Sequence, residues 1–194
     1  YAARAFGARR TYFATNGTST CNKIVVQSLV HEGDIVLVDR NCHKSHHYGL
    51  VLTGAQVAYL DSYPLNEYSM YGAVPISHIK ETLLNFKQAG TLHRVKLVLL
   101  TNCTFDGIVY DVERVMMECL AIKPDLVFLW DEAWFAFAGC HPIYRQRTAM
   151  SNAARLAERF KDPAYAQTYA EWKETIDWDD TQQLLETRLM PDPA

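Results

Sequence analysis

No apolar run in this chain approaches the ~20 residues that carry a helix across a bilayer, so a membrane-spanning helix is not expected. Basic residues are not in surplus either. The 19 Lys and Arg stand against 22 Asp and Glu, a net charge of −3, and no basic stripe is present to track a nucleic-acid backbone. The five cysteines (Cys21, Cys42, Cys103, Cys119 and Cys140) are scattered, odd in number and free of any Cys-x-x-Cys pair. That pattern excludes a disulfide framework or a cysteine zinc site and predicts reduced thiols in a cytoplasmic protein. Repeats and low-complexity tracts are also missing, and a signal peptide is not expected.

What is present is an ordinary globular composition, 49% apolar and 21% charged, over 194 residues. That length suffices for one buried α/β core without a second domain. Both ends read as cuts from a longer polypeptide. Tyr1–Gly7 resembles the end of a helix with a glycine stop, and Met190–Ala194 a turn leading elsewhere.

Strands are expected at Thr11–Thr15, Ile35–Asp39, Val57–Leu60, Val95–Thr101 and Leu126–Trp130. Several are unbroken apolar runs, the pattern of strands covered on both faces. Helices are expected between them at Thr20–His31, Ser45–Thr53, Ile76–Gln88 and Val112–Ile122. Strand and helix in alternation predict an α/β fold, a mostly parallel sheet with helices on both faces. After Trp134 a long Pro-containing loop is expected, then surface helices at Ser151–Phe160, Tyr165–Thr175 and Asp180–Leu189.

Chemistry gathers at the carboxyl ends of the strands. The run Val127-Phe128-Leu129-Trp130-Asp131-Glu132-Ala133-Trp134 delivers a carboxylate where open α/β sheets build ligand sites. Flanked by Trp130 and Trp134, Asp131 loses hydration and needs a cationic partner, of which the protonated ring nitrogen of pyridoxal phosphate is one. Upstream, Thr15-Asn16-Gly17-Thr18-Ser19-Thr20 turns from a strand into a helix. There Gly17, Thr18 and Ser19 can offer amides and hydroxyls to a phosphate at the positive end of the helix dipole. The alternative is an ordinary N-cap by Ser19 or Thr20.

Three histidines, His43, His46 and His47, follow the second strand. No Glu stands between His43 and His47 as in His-Glu-x-x-His, and no acidic ligand is obvious nearby, so a metal is not expected. A flat imidazole at His43 can stack on an aromatic cofactor, whereas His46, and with it His47, reads as solvated at a helix N-terminus. In Leu100-Thr101-Asn102-Cys103-Thr104, Asn102 can donate to a phenolate oxygen or form an Asx turn running to Gly107.

Taken together, Thr-Asn-Gly-Thr-Ser-Thr-x-Asn-Lys, Asp-Arg-Asn-Cys-His-Lys-Ser, Thr-Asn-x-Thr-x-Asp-Gly and Asp-Glu-Ala-Trp stand in the order and spacing of the bacterial ornithine/lysine/arginine decarboxylases. The chain resembles that family over roughly residues 1–150. The resemblance implies a partial fold-type-I major domain, with 151–194 a helical insertion or linker before a missing strand. It further implies pyridoxal 5′-phosphate, decarboxylation of a basic amino acid, and a homodimer or higher homo-oligomer with the active site at the subunit interface. Thr18 and Ser19 then match phosphate ligands, with Gly17 giving access. His43 matches the stacked imidazole, Ala133 the opposite face, and Asp131 the acid opposite the ring nitrogen. Asn102 and Trp134 fall near the phenolic oxygen by analogy with aminotransferases. One element is missing: the family's cofactor-linking lysine lies in a Ser-x-His-Lys segment, which this chain lacks, and His43-Lys44 belongs to the stacking motif instead. An aminotransferase or lyase of the same fold, or a catalytically inactive fragment, are the alternative expectations.

Overall fold

The computed structural model describes residues 1–191; Asp192, Pro193 and Ala194, part of the expected closing turn, lie outside them. The elements run α1 (Ala2–Phe6), α2 (Thr18–Leu29), β1 (Ile35–Asp39), α3 (Lys44–Thr53), β2 (Gln56–Leu60), a small ribbon of β3 (Pro64–Leu65) and β4 (Met70–Tyr71), and α4 (Ile76–Gln88). They continue with β5 (Val95–Thr101), α5 (Val112–Ile122), β6 (Val127–Asp131), α6 (Pro142–Arg145), α7 (Ala149–Arg159), α8 (Pro163–Glu174) and α9 (Thr181–Glu186).

The main sheet is parallel throughout, in the order β2-β1-β5-β6. Alternate residues of its central strands leave for opposite faces. Leu37, Val98 and Leu100 join a core with Ile79 and Leu83 of α4 and Val115 and Met116 of α5. Val36, Val38, Leu97 and Leu99 meet Val26 of α2 and Leu50 of α3 on the other side. Both faces being covered explains why β1 and β5 read as continuous apolar runs. In α5 the buried residues Val112, Val115, Met116 and Cys119 follow the three-and-four spacing of one helical face, and Asp111 caps its start by accepting from the Arg114 amide at 3.1 Å. Gly49 permits the close α2–α3 crossing: a Cβ there would stand 3.2 Å from the Lys23 Cα and the Val26 Cβ.

Two expectations fail. Thr11–Thr15 is not a strand. Its β-forming residues find no neighbouring ladder, and Tyr12 and Phe13 remain 80% and 86% exposed. The loop after Trp134 is not structureless, since it holds a 3-10 turn at Ala136–Cys140 and the short α6, whose Pro142 lies in the first turn. The expected helical stop at Gly7 is present, as are the three C-terminal helices.

This topology locates the site. From β1 the chain passes to β2 on one side, and it later returns to β5 on the other side of β1. Strand order therefore reverses between β1 and β5, and a crevice opens above their carboxyl ends.

Candidate functional site

At that point lies a cavity of about 480 Å³ lined by Thr18, Ser19, Asn22, Asn41, His43, Thr101, Phe105, Asp131, Ala133 and Trp134. Each wall comes from the end of an element. Asn41 and His43 follow β1, Thr101 and Asp131 close β5 and β6, and Thr18 and Ser19 open α2.

The α2 terminus leaves the Thr18 and Ser19 amides without a partner among the described residues, while the Thr20 amide donates to the Gly17 carbonyl at 3.1 Å. Gly17 takes φ 73°, a region costly for any residue with a Cβ, and no side chain caps the helix. Neither Ser19 nor Thr20 fills the N-cap role allowed for them in the sequence, because the helix starts one residue earlier, at Thr18. First-turn N–H groups without a cap carry the positive end of the helix dipole.

Asp131 sits at the floor, 6% exposed. Its Oδ2 accepts from Asn22 Nδ2 at 3.1 Å and lies 2.8 Å from His46 Nε2, while Oδ1 accepts from the Ala133 amide at 3.1 Å. Burial pushes this carboxyl up, but the hydrogen bonds from His46, Ala133 and Asn22 outweigh it and hold it below the usual carboxylate range. A carboxylate offers about four lone-pair positions. Three are engaged among the described residues, and the open one is on Oδ1.

His46 corrects the sequence expectation. It is not solvated but wholly buried, its ring against Asp131. Its Nδ1 has no partner among the described residues. A ring with its proton on Nε2 donates to Asp131 and leaves only an acceptor lone pair unmatched. The three histidines thus diverge: His46 to Asp131, His47 to the Cys42 sulfur at 3.5 Å, and His43 to Ser45. Burial also drives the Cys42 thiol up to about 12, helped by Asp39 and Asp131, which makes it a poor nucleophile.

His43 is exposed at the start of α3, where its Nδ1 accepts from the Ser45 amide at 3.2 Å. Ala133 and Trp134 lie on the cavity wall beyond Asp131, and the Trp134 ring meets Phe105 edge-on at 5.4 Å between centroids. Asn102 does not reach the cavity. Fully buried, it donates to Glu132 Oε1 at 2.7 Å and to the Arg147 carbonyl, and accepts from the Tyr110 amide. Gly17 contributes its backbone turn and does not itself line the cavity. Lys44 is exposed on α3, and no lysine lines the cavity among the described residues.

Asn22 and Ser45 are the polar residues that sequence reasoning passed over, and His46 is the one it placed in solvent. A signal existed for Asn22, which lies four residues after Thr18 on the same face of α2. Nothing local marks His46 as different from His47.

The chain is similar to known proteins over most of its length. Residues 1–173 match the family model described as Orn/Lys/Arg decarboxylase, major domain. Lysine decarboxylase LdcA of Pseudomonas aeruginosa is 40% identical over 158 residues, covering 78% of this chain and 21% of that protein. The biodegradative arginine decarboxylase of Escherichia coli is 37% identical over 157 residues, 77% of this chain and 20% of the relative. Among solved structures, the constitutive lysine decarboxylase of E. coli superposes with a TM-score of 0.66 at 32% identity, over 78% of this chain and 21% of that one. The chain therefore spans about a fifth of the length of these relatives.

Proposed function

Because this chain belongs to the Orn/Lys/Arg decarboxylase major-domain family, we propose that it supplies most of a pyridoxal 5′-phosphate pocket in a protein that decarboxylates lysine, ornithine or arginine. Three observations support the fit of the group to these residues. The uncapped N-terminus of α2, with Thr18 and Ser19 beside it, suits a phosphate. The His43 ring and the small Ala133 line the same cavity and suit the two faces of a flat heterocycle. Asp131, held ionised with one acceptor position open, suits a cationic ring nitrogen. This last observation carries the proposal, since a buried acid on the cavity floor, fixed by three donors and with one acceptor position open, suits a cationic N–H donor.

When bound, the cofactor supplies an electron sink for the pair left behind as carbon dioxide departs. The residues of this chain would bind and orient. The α2 amides would fix the phosphate, His43 and Ala133 would hold the ring plane, and Asp131 would keep the ring nitrogen protonated. Phe105 and Trp134 would keep water from one side of the ring. The cofactor-linking lysine would come from outside these 194 residues. Residues 1–150 form the matching core on this reading, and 151–194 a helical linker. The working unit would be a homodimer or larger homo-oligomer in the cytoplasm.

Titrating the chain with pyridoxal phosphate while following absorbance and fluorescence tests this. Saturable non-covalent binding is expected, reduced at least tenfold in Asp131→Ala and abolished by excess phosphate. Binding unaffected by Asp131→Ala would refute it. A second reading, that the chain alone is a catalytically inactive cofactor binder, is favoured by the lack of a lysine on the cavity wall among the described residues.

A further inference from the structure

We propose that Asn22 and Ser45 are positioning residues, a buried hydrogen-bond bridge by which the ionised Asp131 sets the tautomer of His43 and holds the two groups in one fixed relation. The geometry stands independently of any ligand. Its purpose, presenting a defined ring and a defined acid to the cofactor, rests on the reading above.

The direction of every proton in the bridge follows from Asp131. An ionised carboxylate only accepts, so Asn22 must turn its amide nitrogen, not its oxygen, toward Asp131 Oδ2, 3.1 Å away. The same nitrogen donates its second hydrogen to Ser45 Oγ at 3.0 Å. Having received that donor, the Ser45 hydroxyl turns its own proton to its other close partner, His43 Nδ1, at 2.8 Å. The Ser45 amide donates to the same nitrogen at 3.2 Å. A ring nitrogen that receives two donors carries no proton, so the His43 proton resides on Nε2. That nitrogen has no protein partner among the described residues, and His43 lines the cavity.

The bridge is buried where it needs to be: Asn22 is 6% and Ser45 1% exposed. In that setting an amide flipped to place oxygen against oxygen, or a hydroxyl left without a partner, is costly. The members come from α2, α3 and β6, and the Asn22–Asp131 contact joins residues 109 apart. An exposed His43 free to choose its tautomer and rotamer would be a poor platform. Anchored at Nδ1, it has one of each.

The test reads the tautomer directly, without turnover. The chain is labelled with 15N-histidine, and its imidazole nitrogens are recorded by long-range proton–nitrogen spectra, with His43 identified by its loss in His43→Gln. In the unaltered chain at neutral pH, Nδ1 should resonate as a bare acceptor and Nε2 as a protonated nitrogen. Ser45→Ala removes a single oxygen from a helical position. It should raise the Nδ1-protonated fraction about fivefold, the equivalent of one neutral hydrogen bond. Asn22→Ala should cause a shift of the same sign, and the double variant should not add to it, because both act through one bridge. If Asn22→Ala does not fold, Ser45→Ala decides alone. A His43 proton on Nδ1 in the unaltered chain, or an unchanged tautomer ratio in Ser45→Ala, overturns the proposal. Pyridoxal phosphate titrated into the same samples separates the two readings. Failure to bind, with the tautomer results as expected, refutes the cofactor proposal and leaves the bridge standing.

Discussion

Replacing His46 by alanine is the perturbation for which sequence and structure disagree most sharply. A solvated histidine at a helix start would tolerate it within about 0.5 kcal/mol. The structure instead buries the whole ring and places Nε2 2.8 Å from Asp131 Oδ2. Two costs then add. Loss of a hydrogen bond to a charged group is worth about 1.5–3 kcal/mol. Truncation of a large buried side chain costs a further 2 kcal/mol or so for lost contacts and the cavity left behind. Removal of Nδ1, a buried acceptor without a partner among the described residues, offsets about 1 kcal/mol of this. The total is about 3–4 kcal/mol, a fifth or more of the ~5–15 kcal/mol that holds a typical domain folded. Urea unfolding at pH 7 is the assay. With a slope of ~2 kcal/mol per M, the midpoint should fall by about 1.5–2 M. His43→Ala provides the comparison, because that residue is exposed and loses only the bonds from the Ser45 amide and hydroxyl to its Nδ1, about 1–2 kcal/mol together. The two variants should rank in the opposite order for cofactor retention. A midpoint shift for His46→Ala below about 0.3 M, or smaller than that of His43→Ala, would refute the assignment of His46 as a buried support of Asp131.

Other outcomes follow from buried charge. The Asp131 carboxyl is held below its ordinary value, so its stabilising contribution is present above pH ~3.9 and fades as pH falls through the folded value. Asp131→Asn should therefore be destabilised relative to the unaltered chain at pH 7, with the gap closing in acid when both are unfolded by urea across pH. Glu132 has the opposite sign, since burial raises it, so its contribution is present below pH ~4.3 and lost as pH climbs through the folded value. Glu132→Gln keeps an oxygen for the Asn102 and Ala149 donors and should gain stability relative to the unaltered chain as pH rises from 4 to 7; a gain confined to acid would contradict this. Lys80, 1% exposed, pairs with the buried Glu118 at 2.8 Å and also donates to the Leu184 and Thr187 carbonyls. Lys80→Met should cost about 3–5 kcal/mol in urea unfolding and expose α9 to limited proteolysis, with much of the loss recovered by Lys80→Met paired with Glu118→Leu.

Periodicity is a local property, and what it governs was legible in the sequence by itself. The unbroken runs Ile35–Asp39 and Val95–Thr101 announce strands covered on both faces, and the helices between them make the sheet parallel. The same logic placed Thr18, Ser19, His43 and Asp131 at strand or helix ends, where α/β folds open their crevices. Tertiary structure decided the rest, because it depends on partners distant in the chain. A β-prone segment at Thr11–Thr15 became no strand for want of a ladder to join. Asn102, polar at the end of β5 like its neighbour Thr101, turns away from the cavity because Glu132, Arg147 and Tyr110 satisfy it elsewhere. His46 and His47 are adjacent and chemically identical. Only the tertiary placement of α3, packed on α2, brings the first into the core against Asp131, 85 residues away, and leaves the second half-buried beside Cys42. Burial and hydrogen-bond partnership are properties of the pair, and one strand of sequence carries only half of each.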